Sequence, residues 1–210
     1  MTRAFAAALL LAVAGCAQLT GPREVIASPA RDWRMTATGA DRERLREWRE
    51  AFVEGLAEAR AAGHGAAIAA EGELLQPDAG LAAGAIPVGD YRCRVIKLGA
   101  RTPGMLPYVA YPAFSCRVAA DGEVQAFAKL TGSQRPVGLI FPGDAMRQVF
   151  LGTLVLGDET RALRYGHDPD RDLAGYVERI GPARWRIIFP RPAFESDLDV
   201  IELVPLSGRN

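Results

Sequence analysis

Two rhythms of apolar and polar positions divide the chain. Leu45, Trp48, Phe52, Leu56 and Ala59 recur at intervals of 3, 4, 4 and 3 residues. Those intervals lay one apolar stripe along a helix of 3.6 residues per turn. Asp41 is suited to cap its start and Gly63 to stop it. The opposite face is charged and reads as a solvated face. The stripe must be buried, most simply against the domain that follows; a surface for a partner protein is the alternative. "AAIAAEGELL" predicts a second short helix, after which Pro77, Gly80, Gly84, Pro87 and Gly89 mark a connector.

From Tyr91 the rhythm changes to short runs between turn residues: "YRCRVIKL", "YPAFSCRVA", "EVQAFAKLT", "PVGLIFP", "RQVFLGTLVL", "TRALRY", "LAGYVERIG", "RWRIIF" and "LDVIELVP". Regularly spaced short strands without intervening helices predict neighbouring antiparallel hairpins in a sandwich or barrel. "DG" at 121–122 and "GDET" at 157–160 fit hairpin turns. The expected fold is therefore mainly β (α+β): an N-terminal amphipathic helix packed on an eight- or nine-stranded antiparallel barrel or strongly bent sheet.

The first eighteen residues, "MTRAFAAALLLAVAGCAQ", carry a different signal. Arg3 precedes an apolar run, Ala4 to Ala14, that is too short to cross a bilayer, which takes about 20 residues. "VAGC" resembles the lipobox of bacterial lipoproteins, in which the cysteine is lipidated and becomes the mature N-terminus. That resemblance implies a signal peptide over 1–15, lipidation of Cys16 and a periplasm-facing membrane anchor. Ala17, rather than Asp, implies the outer membrane over the inner one. A tether over 16–39, a helical segment and connector over 40–89 and a β domain over 90–206 complete the expected organisation.

Acidic and basic residues balance at 25 each, and no basic stripe stands out, so nucleic acid is not an expected partner. Apart from Cys16, the cysteines are Cys93 and Cys116. An oxidising compartment makes a disulfide the default, with two free buried thiols as the alternative. Tyr91, Cys93 and Val95 share one strand face, and Phe114, Cys116 and Val118 share another. A cross-strand bridge on the core face is consistent with that alternation, and pairing 93 with 116 puts Leu98 opposite Tyr111.

The blocks "DYRCRVIKLG", "FSCRV", "KLTGSQRPVG", "FLGTLVLGDE", "YVERIG", "RWRIIFP" and "ESDLDVIELVP" resemble a bacterial family catalogued as domain of unknown function 4893. The resemblance covers residues 40–206 and transfers no catalytic residue. More loosely, the two cysteine-bearing strands and the strand rhythm are similar to periplasmic metalloprotease inhibitors of the lipocalin-like group.

Candidate chemistry is sparse. Asp168, Asp170 and Asp172 alternate as in a calcium loop, but Leu173 stands where a Gly is needed and Arg179 where a Glu is needed. A polar turn is the simpler reading. His64 and His167 show no zinc spacing, so no metal or cofactor is expected. Ser133 in "TGSQRP" lacks the flanking pattern of a nucleophile elbow. Ser133, Gln134 and Arg135 read as an exposed strand end or, more sharply, as a polar rim contacting a ligand at a barrel mouth. If "ADGE" closes a two-residue hairpin, Phe114 faces Lys129, which puts that lysine on the apolar face. Lys129 then pairs inside with Glu178 or Glu202, or a bulge or barrel-end position relieves it. The leading functional expectation is a non-enzymatic envelope lipoprotein that binds a protein or small ligand, with protease inhibition as one form. A hydrolase using Ser133 or a buried Lys/Glu pair is the competing class. A structural lipoprotein docking through its helix stripe is the third.

Overall fold

The computed structural model describes residues 25–26, 32–82 and 84–206. The leader and Cys16 lie outside the described residues. The helical region holds α1 (Trp33–Thr36), α2 (Gly39–Arg46), α3 (Trp48–Ala61), α4 (Gly65–Ala70) and a 3-10 turn (Gly72–Leu75). The single helix expected over 41–63 is thus two, interrupted at Glu47 (φ −86°, ψ 4°). The break lets one stripe follow a curved surface. Leu45 packs with Ala126, Leu139, Val149 and Leu151, whereas Trp48, Phe52, Leu56 and Ala59 pack with Ile96, Leu98, Ile188 and Val200. The stripe is buried against the β domain, so it is not a free surface for a partner. Asp41 is not the cap. Thr38 is: its hydroxyl accepts from the Asp41 N–H at 3.1 Å and donates to the Asp41 carboxylate at 2.9 Å. Gly63 ends α3 as expected, at φ +93°, a conformation that favours glycine.

Among the described residues nine strands follow: β1 (Gly89–Leu98), β2 (Tyr108–Ala110), β3 (Phe114–Asp121), β4 (Val124–Lys129), β5 (Gln134–Phe141), β6 (Arg147–Leu156), β7 (Asp172–Gly181), β8 (Arg184–Pro190) and β9 (Leu198–Pro205). Every pairing is antiparallel, and β1 against β9 closes β1 and β3–β9 into an eight-stranded barrel. β2 is the extra strand; it pairs with the end of β1 that β3 leaves. "TRALRY" is not a strand. Thr153 pairs with Asp172, so the turn at 157–160 opens a long loop to residue 171 instead of closing a hairpin. Within it Tyr165 takes other work: its N–H donates to the Val25 carbonyl at 2.9 Å and its hydroxyl to Asp41.

Two registers differ from expectation by an even step. The β3–β4 turn centres on Gly122–Glu123, so Cys116 faces Lys129 and Val118 faces Phe127. A two-residue slip preserves the faces, and Lys129 still points inward. Cys93 faces Phe114 and Cys116 faces Tyr91, so the Cys93–Cys116 disulfide is diagonal rather than directly across, with Cα atoms 5.9 Å apart.

The barrel waist is filled. The Phe127, Phe150 and Phe189 rings meet edge to face, 5.8 and 5.2 Å between successive centroids. Gly138 and Gly152 are direct cross-strand partners beneath Phe150. A Cβ on either would stand 2.8 or 2.6 Å from the Phe150 ring, so their smallness makes room for it. One end is plugged by the connector. Ile86 inserts there, its N–H donating to Gln148 at 3.0 Å and its carbonyl accepting from Gln125 at 2.6 Å. The other end is open.

Candidate functional site: the barrel mouth

Alternation along the strands decides what lines the open end. Tyr91, Cys93 and Val95 point inward on β1, and so does the next residue in that series, Lys97. Its direct partner on β9 is Asp199. β4 ends on inward Lys129, and β5 begins on Gln134. The resulting cavity is about 250 Å³. Its apolar wall comes from Val95, Leu154, Leu173, Phe189 and Ile201, with Phe114 and Tyr111 nearer the rim. Polar groups converge on an otherwise apolar concavity, the usual form of a small-molecule site.

The two lysines are both buried, at 5% and 4% exposure, but are treated differently. Lys97 Nζ lies 2.9 Å from Asp199 and 3.3 Å from Glu195. Burial alone would lower its pKa, but the two carboxylates outweigh that and raise it. Glu195 reaches Lys97 from a left-handed backbone, φ +69°, unusual for a non-glycine residue. Its other oxygen accepts from the Gln134 amide at 3.1 Å. Lys129 Nζ donates to the Gln134 carbonyl at 2.7 Å and sits 3.7 Å from the Phe114 ring centroid. Neither group carries a full negative charge. Burial, then the positive charges of Arg135 and Lys97, push the Lys129 pKa down to about 8, with Asp199 opposing. Gly132 (φ +92°) lies beside this amine, and a Cβ there would fall 2.8 Å from both Nζ and the Phe114 ring.

Of the residues singled out by sequence, Lys129, Ser133 and Gln134 line this mouth. Arg135 points outward, and its guanidinium binds the carbonyls of Gly132, Gly157 and Glu159 at 2.6–2.8 Å, fixing two mouth loops to each other. Glu178 and Glu202 do not pair with Lys129. Both point out of the barrel, because Tyr176, Glu178 and Ile180, like Leu198, Val200 and Glu202, alternate onto the face that the helices cover. Glu202 pairs with Arg94 and Arg184 at 3.0 and 2.6 Å. Glu178 binds Arg186 at 2.6 Å and Arg147 at 2.6 Å. Arg186, fully buried, also donates to the carbonyls of Glu73, Leu74, Gln76 and Pro77. That network staples the connector to the barrel.

The sequence pattern does not single out Lys97, Asp199 or Glu195. A signal existed for the first: a lysine on the inward parity of "YRCRVIKL". Asp168, Asp170 and Asp172 form a turn, in which Asp168 accepts from the Asp170 N–H at 3.1 Å and Asp172 from the Gly166 N–H at 2.9 Å. Among the described residues no group of three or more His, Cys, Asp and Glu is placed to hold a metal ion, and no helix is long and apolar enough to cross a membrane. His64 stacks on Tyr108, and neither histidine lines the mouth.

A family model described as "Domain of unknown function (DUF4893)" matches residues 33–203. The chain belongs to this family. The DUF4893 match spans both the helical cap and all but the last two residues of the barrel's closing strand. No curated protein and no solved structure matches the chain.

Proposed function

We propose that this DUF4893 protein is a non-enzymatic binding module that holds a small, largely apolar ligand in the barrel mouth. The cavity beside Lys97, Lys129, Gln134 and Asp199 carries the reading. The waist above the plugged end is filled with aromatic rings, so a ligand would enter from the mouth alone and stop there. The helix stripe is consumed by the barrel, which removes the surface that a structural docking role required. The hydrolase alternative has less to stand on, because Ser133 has no histidine beside it and Glu178 and Glu202 bind arginines outside the barrel instead of pairing with Lys129.

In this reading the module works in the bacterial envelope, tethered through lipid on Cys16. The "VAGC" motif and the Cys93–Cys116 disulfide support that placement. Cys16→Ser should move the protein out of the membrane fraction; retention with unchanged processing would overturn the tether.

The binding reading is tested by calorimetric titration of the purified protein with 1-octanol, an apolar probe whose chain fits the cavity. Saturable binding of one molecule per chain is expected, lost when Leu154→Phe and Leu173→Phe fill the cavity while the unfolding midpoint is kept. Equal binding by the filled variant would overturn it. So would turnover of ester, peptide, glycoside or phosphate substrates that disappears in folded Ser133 or Lys129 variants.

A further inference from the structure

We propose that the ligand of the barrel mouth is an aliphatic monocarboxylate, its apolar chain against Val95, Leu154, Leu173 and Ile201 and its carboxylate on the Lys129 ammonium. The inference rests on the binding reading above and adds the ligand's chemical class.

Charge matching carries it. The charged groups lining the mouth with Lys129 are Lys97 on β1, Asp199 on β9, Glu195 in the β8–β9 loop and Asp170 in the β6–β7 loop, while Arg135 on β5 points away and acts through its charge alone. Asp199 and Glu195 are held by Lys97, and Glu195 also by Gln134. Arg135 spends its donors on three loop carbonyls. Asp170 is exposed at the rim. Lys129 is therefore a buried cation whose described contacts are one carbonyl oxygen and one ring face. An ammonium has three donors. A buried charge without a counter-charge is unfavourable, and the missing partner is a single negative group.

Size and wall chemistry set the rest of the ligand. The cavity holds the volume of about eight waters, room for a chain of roughly that many carbons. Its deep wall is hydrocarbon, so each buried methylene adds to affinity. A divalent headgroup would meet Asp199 and Glu195 with its second charge; a monocarboxylate does not. Gly132 leaves the amine open to that group, since a side chain there would strike it.

Octanoate and octanol, of equal chain length, separate the two levels of the reading. In calorimetric titrations of the purified protein at pH 7, octanoate should bind about tenfold or more tighter than octanol, a charge-assisted hydrogen bond's worth. The preference should shrink as pH rises well above 8 and Lys129 loses its proton. Lys129→Met should abolish the preference while octanol still binds, and Gly132→Ala should weaken it by displacing the amine. Equal binding of the two compounds at pH 7 would overturn the carboxylate inference and leave the apolar site intact. Binding of neither would overturn both. The pH series uses the unaltered protein, so a folding defect in either variant does not decide the outcome.

Discussion

Arg186 lies beneath the helical cap and Lys129 inside the barrel mouth; both are cations withdrawn from water. Around Arg186 the protein supplies a carboxylate and four backbone carbonyls. Around Lys129 it supplies one carbonyl and a ring, and the charges of Arg135 and Lys97 nearby oppose its own. The first arrangement is complete without any other molecule. The second is not, and it opens to solvent at the end of the barrel where strand alternation has put four polar side chains over an apolar wall. The outer-face network ties the connector to the barrel, and the mouth holds a cation that no carboxylate contacts.

The largest test of this contrast is Glu178→Ala. It strands Arg186 and Arg147 without their carboxylate and should lower stability by about 3–5 kcal/mol in urea unfolding. A change under about 1 kcal/mol would mean the network is not the staple described. Next comes the disulfide. Converting Cys93 and Cys116 to Ser should lower stability by about 3 kcal/mol, the loop-closure value for their separation of 23 residues. The same double variant tests the mouth, since the bridge ties β1 to the strand that carries Phe114.

Asp172 is the exception on the outer face. It is 2% exposed, and burial raises its pKa to about 6, with the Asp41 charge adding to that and the Gly166 N–H opposing. Its carboxyl therefore keeps a proton in the fold after the unfolded chain has lost it. Stability should fall, by about 1–2 kcal/mol, as pH rises from about 4 to about 6, and then level. Asp172→Asn should flatten that slope in a series of urea titrations across pH; an unchanged slope would assign it elsewhere. The smallest effect, with the opposite sign, is at Lys129. Lys129→Met should leave stability unchanged or raise it by up to about 1 kcal/mol, because an unmatched charge gives way to an apolar chain of similar length. A loss of several kcal/mol would show that Lys129 holds the fold as Arg186 does.

Periodicity made most of the fold legible. The stripe at Leu45–Ala59 and eight of the nine β-domain strands can be read because burial of one face imposes a period of 3.6 or 2, and the disulfide pair follows from the cysteine count and an oxidising compartment. Closure of the barrel could not be separated from a bent sheet, since the β1–β9 pairing joins residues more than a hundred positions apart. Lys129 was legible as inward because an error of two in register preserves the faces. Glu178 and Glu202 come up as inside partners for it, beside the barrel-end position that Lys129 in fact takes, because their strands are apolar on both faces. One face meets the barrel interior and the other the helices, and alternation alone does not say which is which. "TRALRY" failed as a strand for a related reason: an alternating pattern there served tertiary contacts of Tyr165, not a ladder.

Lys129 stands in the mouth as a buried amine with a carbonyl and a ring but no carboxylate on it. Its ε-methylene NMR resonances, followed through a pH titration of the protein with and without octanoate, read this directly. A pKa of about 8 is expected for the free protein, rising by a unit or more when octanoate saturates the site. A free-protein value near that of an exposed lysine, unmoved by octanoate, would contradict it.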